Sequence, residues 1–95
     1  MEILKFKNYV KIKDKFNTDI AVSRLFAKEV VDSVDINKPV VIDMEGIKMI
    51  TRSFIDEIVA LTNNNVKFIN VASYLKCFFD FEEKIIGKKI KVEYI

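Results

Sequence analysis

The sequence predicts one α/β domain over residues 1–95, with a small mixed β-sheet, surrounding helices and the order β-β-α-β-α-β-α-β. Segments with strand character alternate with segments whose apolar residues recur every three or four positions. Residues 40–42, Val-Val-Ile, lack alternation, which is typical of a strand covered on both faces. No linker, repeat or low-complexity segment divides the chain, and 95 residues suffice for one hydrophobic core.

The first half of the chain predicts two edge strands and a helix. Residues 2–7 and 9–13 partly alternate and place lysines on one face, which suits edge strands that resist further pairing. Asn17, Thr18 and Asp19 are good cap residues, so a helix is predicted over residues 19–33. Its apolar stripe is expected to contain Ile20, Leu25 or Val22, Phe26, Val30 and Val34. Pro39 then marks the start of the next strand.

The second half predicts two helices between three strands. Thr51 or Ser53 can cap a helix that reaches about residue 61, and Phe54 is expected in the core. Residues 66–71 form the next strand, after a turn of three asparagines. A helix over residues 73–86, capped by Ser73, should end at Gly87, and residues 90–95 alternate as a final strand.

The helix over residues 73–86 has a wider apolar stripe than one core face needs. Four of its residues are assigned to the core: Leu75, Phe78, Phe79 and Ile86. Tyr74 or Phe81 is expected to be exposed and to form part of an interface. Cys77 is interpreted as a small, buried or half-buried apolar residue.

The composition excludes most enzyme classes, and we expect no enzymatic activity, no cofactor and no metal. Histidine is absent, and one cysteine cannot form a structural zinc site. Two glycines cannot supply a phosphate-binding or dinucleotide-binding loop. A formal charge of +2 argues against nucleic-acid binding. One cysteine and no long apolar run predict a cytoplasmic protein without a membrane segment.

The connection between the strand at residues 40–43 and the helix near Ser53 is the strongest candidate for a site. Its charged residues Asp43, Glu45, Lys48 and Arg52 are expected to cluster at one end of the sheet. Asp43 and Glu45 could hold Mg²⁺, but turn chemistry is the favoured interpretation. Arg24 with Asp56 and Glu57 could bind a ligand, although a structural ion pair is favoured.

Several short motifs in this region resemble the STAS-like domain family of unknown function, which occurs in bacteria and archaea and is related to anti-sigma factor antagonists. The matching pieces, over roughly residues 20–80, are Ser23-Arg24 with Ala27, Val40-Val41-Ile42-Asp43, Gly46-Ile47, Ile50, Ser53-Phe54-Ile55-Asp56-Glu57 and Asn70-Val71. This resemblance implies a STAS-type fold and a regulatory, non-catalytic role.

In anti-sigma factor antagonists the corresponding turn carries Asp-Ser-Ser-Gly, and its first serine is phosphorylated by a partner kinase. Here Arg52 occupies that position, between Thr51 and Ser53. The resemblance therefore implies a docking surface without the usual phosphorylation switch. Phosphate on Thr51 or Ser53 would compete with helix capping by the same hydroxyl.

Two functions from different classes follow. The first is a protein-interaction module that docks a partner through the loop at residues 43–53 and the following helix; the resemblance implies an ATPase of the histidine-kinase-like fold or another regulator. The predicted contacts are Asp43, Glu45, Lys48, Thr51, Arg52 and Ser53. The alternative is a sensor that binds an anionic ligand, such as a nucleotide, at the helix N-terminus near Ser53. The sequence is also compatible with a weak homodimer. A hydrolase that uses Asp43 and Glu45 is a distant third function.

Overall fold

The structure is a computed structural model that describes residues 8–95. The strand predicted over residues 2–7 lies outside these residues. The elements in chain order are β1 (Tyr9–Lys11), α1 (Ile12–Phe16), β2 (Ile20–Ala21), α2 (Arg24–Asp32), β3 (Val40–Asp43), β4 (Met49–Ile50), α3 (Arg52–Leu61), β5 (Val66–Val71), a 3-10 turn (Ser73–Leu75), α4 (Lys76–Ile86) and β6 (Lys91–Tyr94).

The main sheet has the strand order β1-β3-β5-β6, and β2 pairs with β4 in a separate two-stranded sheet. All pairs within residues 8–95 are parallel, with Val10 beside Ile42, Ile42 beside Phe68, and Phe68 beside Val92. The sheet is therefore parallel in the described part, where a mixed sheet was predicted. After each of β1, β3 and β5 the chain passes through helical segments before it enters the next strand of the main sheet. These connections return the chain to the end of the sheet where the previous strand began, so consecutive strands of this sheet run in the same direction. The α/β class is confirmed.

The first half differs from the prediction in two places. The strand predicted over residues 9–13 ends at Lys11, because Ile12–Phe16 form the short helix α1. The helix predicted from residue 19 begins at Arg24, where the Ser23 side chain accepts a hydrogen bond from the Phe26 N–H at 3.1 Å. Ile20 and Ala21 instead pair with β4.

Helix α2 buries a different stripe from the predicted one. Its buried side chains are Ala27, Val30 and Val31. Leu25, predicted for the stripe as an alternative to Val22, is 70% exposed. The later start of the helix places Leu25 in its first turn, on the solvent side.

Helices α3 and α4 cover the sheet and complete the core. Thr51 caps α3 by accepting a hydrogen bond from the Phe54 N–H at 3.3 Å, and Phe54 is fully buried, as predicted. Ser73 does not cap α4; its hydroxyl donates to the Ile95 carbonyl while residues 73–75 form the 3-10 turn. Gly87 ends α4 with φ of 71°, as predicted.

The assignment of the α4 stripe is largely confirmed. Leu75 and Phe79 are buried, and Phe78 and Ile86 pack against the core. Tyr74 and Phe81 are both exposed. The prediction for Cys77 is wrong, because its side chain is exposed on the same helix face as Phe81, four residues away.

Candidate functional site

Asp43 lies at the end of β3, and its carboxylate accepts hydrogen bonds from other residues of the fold. Only 4% of the residue is exposed. The carboxylate accepts hydrogen bonds from the Tyr9 hydroxyl, from Asn70 Nδ2 at 3.0 Å and from the Glu45 N–H at 3.0 Å. Burial would raise the pKa of Asp43, but these hydrogen bonds lower it below its usual value. Burial and the hydrogen bond to Asp43 raise the pKa of Tyr9 to about 12.

Sequence patterns did not indicate that Asn70 contacts Asp43. Its backbone has φ of 56°, and the pairing of β5 with β6 is irregular between Phe68 and Val71. This irregularity interrupts the alternation of β5 at Asn70, whose amide meets Asp43. Asp43 therefore ties together the ends of β1, β3 and β5.

The loop between Asp43 and β4 is held at both ends by contacts with other segments. Glu45 forms an ion pair with Lys11 at 2.9 Å. The Lys48 N–H donates to the Asp19 carbonyl at 2.7 Å, and the Lys48 carbonyl accepts from the Tyr74 hydroxyl at 3.1 Å. The loop is thus joined to β1, to the segment before β2 and to the turn before α4.

Thr51 and Ser53 lie where α2 and α3 begin. Thr51 Oγ1 accepts hydrogen bonds from the Ser23 N–H at 3.2 Å and the Phe54 N–H at 3.3 Å. The Ser53 hydroxyl lies 3.2 Å from Thr51 Oγ1. Thr51 is therefore the cap of α3 and also holds the Ser23 backbone at the start of α2, while the Ser53 hydroxyl contacts the capping oxygen.

Arg52 is exposed, and its guanidinium lies 4.6 Å from the centroid of the Phe81 ring on α4. This distance is suitable for a cation–π contact. Arg52 forms no ion pair with any carboxylate in residues 8–95. The four charged residues expected to cluster, Asp43, Glu45, Lys48 and Arg52, differ in their side-chain contacts. The Asp43 carboxylate accepts from the Glu45 backbone N–H, but no ion pair or hydrogen bond between two side chains joins any two of the four within the described part of the chain.

Arg24 joins α2 to α3. Its Nη1 lies 2.7 Å from Asp56 Oδ2 and 3.1 Å from Glu57 Oε1. These carboxylates raise the pKa of Arg24, so the guanidinium stays charged. The charge of Arg24 is therefore compensated by two carboxylates on the neighbouring helix.

Glu82 on α4 is the functional candidate that sequence reasoning missed. Only 2% of the residue is exposed, and its carboxyl shares a hydrogen bond with the Asp56 carboxyl. Burial and this contact raise the pKa of Glu82 to about 7. The bond with Glu82 and the ion pair with Arg24 lower the pKa of Asp56. One feature of the sequence could have indicated Glu82: it is a glutamate that lies between Phe81 and Ile85 in the apolar stripe of the helix.

The Asp56 and Glu82 carboxyls border a cleft between α3 and α4. This cleft has a volume of about 190 Å³ and is lined by Arg24, Arg52, Ser53, Asp56, Glu82 and Ile85. Two cations and two carboxyls therefore face one small cavity. No group of three or more histidine, cysteine, aspartate or glutamate side chains suited to a metal ion occurs within residues 8–95.

Exposed apolar side chains occur on β4, on the 3-10 turn and on α4, and two of those on α4, Phe81 and Ile85, lie next to Arg52. Met49 is 56% exposed, Tyr74 65%, Phe81 50% and Ile85 56%. We call these four residues together with Arg52 the Arg52 surface. The Tyr74 bond to Lys48 and the Arg52 contact with Phe81 connect the β4–α3 junction to α4, so the surface combines both segments.

The fold and the site place the protein among small α/β domains of the STAS type. The model of the STAS-like domain of unknown function (DUF4325) matches residues 24–74, and the chain belongs to this family. The match includes Arg24, the β3–α3 connection and Tyr74. No curated protein and no solved structure matches the chain. Within residues 8–95, no helix has the length and apolar character needed to cross a membrane.

Proposed function

We propose that this protein is a non-catalytic regulatory module that docks a protein partner through the Arg52 surface, the loop at residues 43–53 and helix α3. The main support is the exposure of four large apolar side chains, of which Phe81 contacts the Arg52 guanidinium and Ile85 lines the same cleft as Arg52. Apolar patches rimmed by polar residues mark interaction sites, and aromatic and arginine side chains contribute most to binding energy. Glu45 and Lys48 supply charges at the edge of this surface.

Asp43 is outside the proposed contact area because its carboxylate is buried and accepts three hydrogen bonds. Thr51 and Ser53 act mainly through the helix caps that hold Arg52 in place. Because these hydroxyls are engaged in capping, we propose docking that does not depend on phosphate at this turn.

The proposed partner is a regulator, for example an ATPase of the histidine-kinase-like fold, which the relationship to anti-sigma factor antagonists suggests. Its complementary surface would be apolar with an acidic group opposite Arg52. We propose a cytoplasmic location, because the exposed thiol of Cys77 fits a reducing compartment. Nucleic acid and membranes are not expected partners.

The alternative is an anionic ligand at the helix N-terminus near Ser53. Arg24, Arg52 and Ser53 line the same cleft, which favours this alternative. However, Asp56 and Glu82 also line it, and a carboxylate facing a phosphate is unfavourable. Docking is therefore the better-supported function.

The test of docking is capture of a partner from native lysate by the immobilised chain. Arg52→Glu and Phe81→Ala should each abolish the capture. Leu25→Ala is a matched control, because Leu25 is a large apolar residue on α2 that is even more exposed than Phe81. Equal capture by the parent chain and both Arg52-surface variants would contradict the proposal. A melting temperature raised by a nucleotide and unaffected by Phe81→Ala would favour the sensor.

A further inference from the structure

Arg52 has two groups of partners within reach. Its guanidinium contacts the Phe81 ring on one side, and its side chain lines the cleft that contains Asp56 and Glu82 on the other. Its positive charge already acts on both carboxyls: it contributes to the lowered pKa of Asp56 and opposes part of the rise in the pKa of Glu82. The guanidinium can therefore exchange an aromatic partner for an anionic one by rotation of its own side chain.

The charges around the cleft depend on the state of Glu82. Arg24 from α2 and Arg52 from α3 are positive, and Asp56 and Glu57 from α3 are negative. With Glu82 neutral these four charges balance. With Glu82 ionised, one negative charge is in excess, and it lies on a buried side chain with no N–H or O–H donor among the described residues.

A third cation, Lys88, lies next to the cleft. Lys88, which follows α4, lines an adjoining cavity together with Asp56. Arg24 is held by Asp56 and Glu57, so Arg52 is the cation of the cleft that has no carboxylate partner in the described part of the chain. An ionised Glu82 would thus draw Arg52 more readily than Arg24.

We propose that ionisation of Glu82 moves the Arg52 guanidinium from the Phe81 ring to the Asp56 and Glu82 carboxylates. The proton leaves Glu82 for solvent, and no other bond forms or breaks. This movement uncovers the face of Phe81 and withdraws the charge from the Arg52 surface. The consequence for binding rests on the proposed docking function; the movement of Arg52 does not.

Nuclear magnetic resonance of the full chain tests the movement directly. The carboxyl carbon of Glu82 reports its ionisation, and the nuclear Overhauser effect between the Arg52 δ protons and the Phe81 ring reports the stacked form. We expect this effect to weaken from pH 5 to pH 9 with the same midpoint as the Glu82 titration. An effect that is absent at every pH, or constant through that titration, would overturn the proposal.

Glu82→Gln is the decisive variant, because glutamine has the shape of the protonated acid and can donate to Asp56. The stacked form should then persist from pH 5 to pH 9. Weakening of the Overhauser effect in this variant as in the parent would contradict the proposal. Asp80→Asn removes an exposed carboxylate from the same helix and should leave the pH dependence unchanged.

Two further variants should move the midpoint of Glu82 in opposite directions. Arg52→Gln removes the cation and should raise the midpoint by about half a pH unit, whereas Phe81→Leu removes the competing ring and should lower it by about as much. Lys76→Gln, which removes an exposed cation from α4, is the control. Shifts of the same sign in both variants would refute the exchange. Failure of partner capture with these shifts intact would contradict docking alone.

Discussion

The Glu82 carboxyl on α4 contacts the Asp56 carboxyl on α3, and the Arg24 guanidinium forms an ion pair with Asp56 at 2.7 Å. Two neighbouring carboxyls cannot both ionise without cost, so one of them keeps its proton to a higher pH than usual. The ion pair with Arg24 favours ionised Asp56, and burial favours neutral Glu82. The contact between α3 and α4 is therefore linked to pH.

The first prediction is that the free energy of unfolding falls as pH rises from 5 to 8. The pKa of Glu82 is raised from an ordinary 4.5 to about 7 in the folded chain, so the native state binds more protons than the unfolded state in this interval. The stabilisation is present below the unfolded value and is lost as pH passes the folded value. Urea denaturation should show a loss on the order of 2 kcal/mol.

Glu82→Gln should remove most of this pH dependence. Glutamine has no proton to lose, so its free energy of unfolding should be nearly the same at pH 5 and pH 8. Asp80→Asn, on the exposed side of α4, should retain the slope of the parent chain. Equal slopes in the parent and in Glu82→Gln would show that another group is responsible.

The second prediction concerns the core. Phe54 is fully buried and its ring stacks with Phe26 at a centroid distance of 5.8 Å. Phe54→Ala should lower the free energy of unfolding by about 3–5 kcal/mol, because it leaves a cavity between α2 and α3. Leu25→Ala, at an exposed position, should change it by less than about 0.5 kcal/mol. Equally small effects of both substitutions would contradict the packing of Phe54 in the core.

The third prediction concerns the end of β3. Asp43→Asn should destabilise the fold by about 2 kcal/mol, because the carboxylate accepts three hydrogen bonds and an amide cannot accept them all. Chemical denaturation at pH 7 measures the change. Asp32→Asn, at an exposed position on α2, is the control. A neutral Asp43→Asn would mean that Asp43 does not hold the strand ends together.

The fourth prediction is that Thr51 and Ser53 stay unphosphorylated when the chain is incubated with its native partner and ATP. The Thr51 hydroxyl caps α3 and the Ser53 hydroxyl contacts it, and the position used by anti-sigma factor antagonists holds Arg52. Mass spectrometry of the recovered chain provides the measurement. Substantial phosphate at either residue, with partner release that is lost in alanine variants, would overturn phosphate-independent docking.

The sequence by itself determined the α/β class, the parts of the core that follow local periodicity and a helix cap at Thr51 or Ser53, of which the structure selects Thr51. These features depend on neighbouring residues in one segment, so apolar spacing and turn residues report them directly. The position of Gly87 at the end of α4 is an example, because a left-handed residue after a helix favours glycine.

Only the tertiary structure decided how distant segments meet. Ile20 and Ala21 are drawn into β2 by pairing with Met49 and Ile50, and this long-range pairing overrides the helix predicted from residue 19. Asn70 meets Asp43 through an irregularity in β5 that no local pattern marks. Glu82 faces Asp56 because α3 and α4 pack side by side, and the pKa of a carboxyl depends on that burial and that neighbour, both of which are set by contacts between segments far apart in the chain.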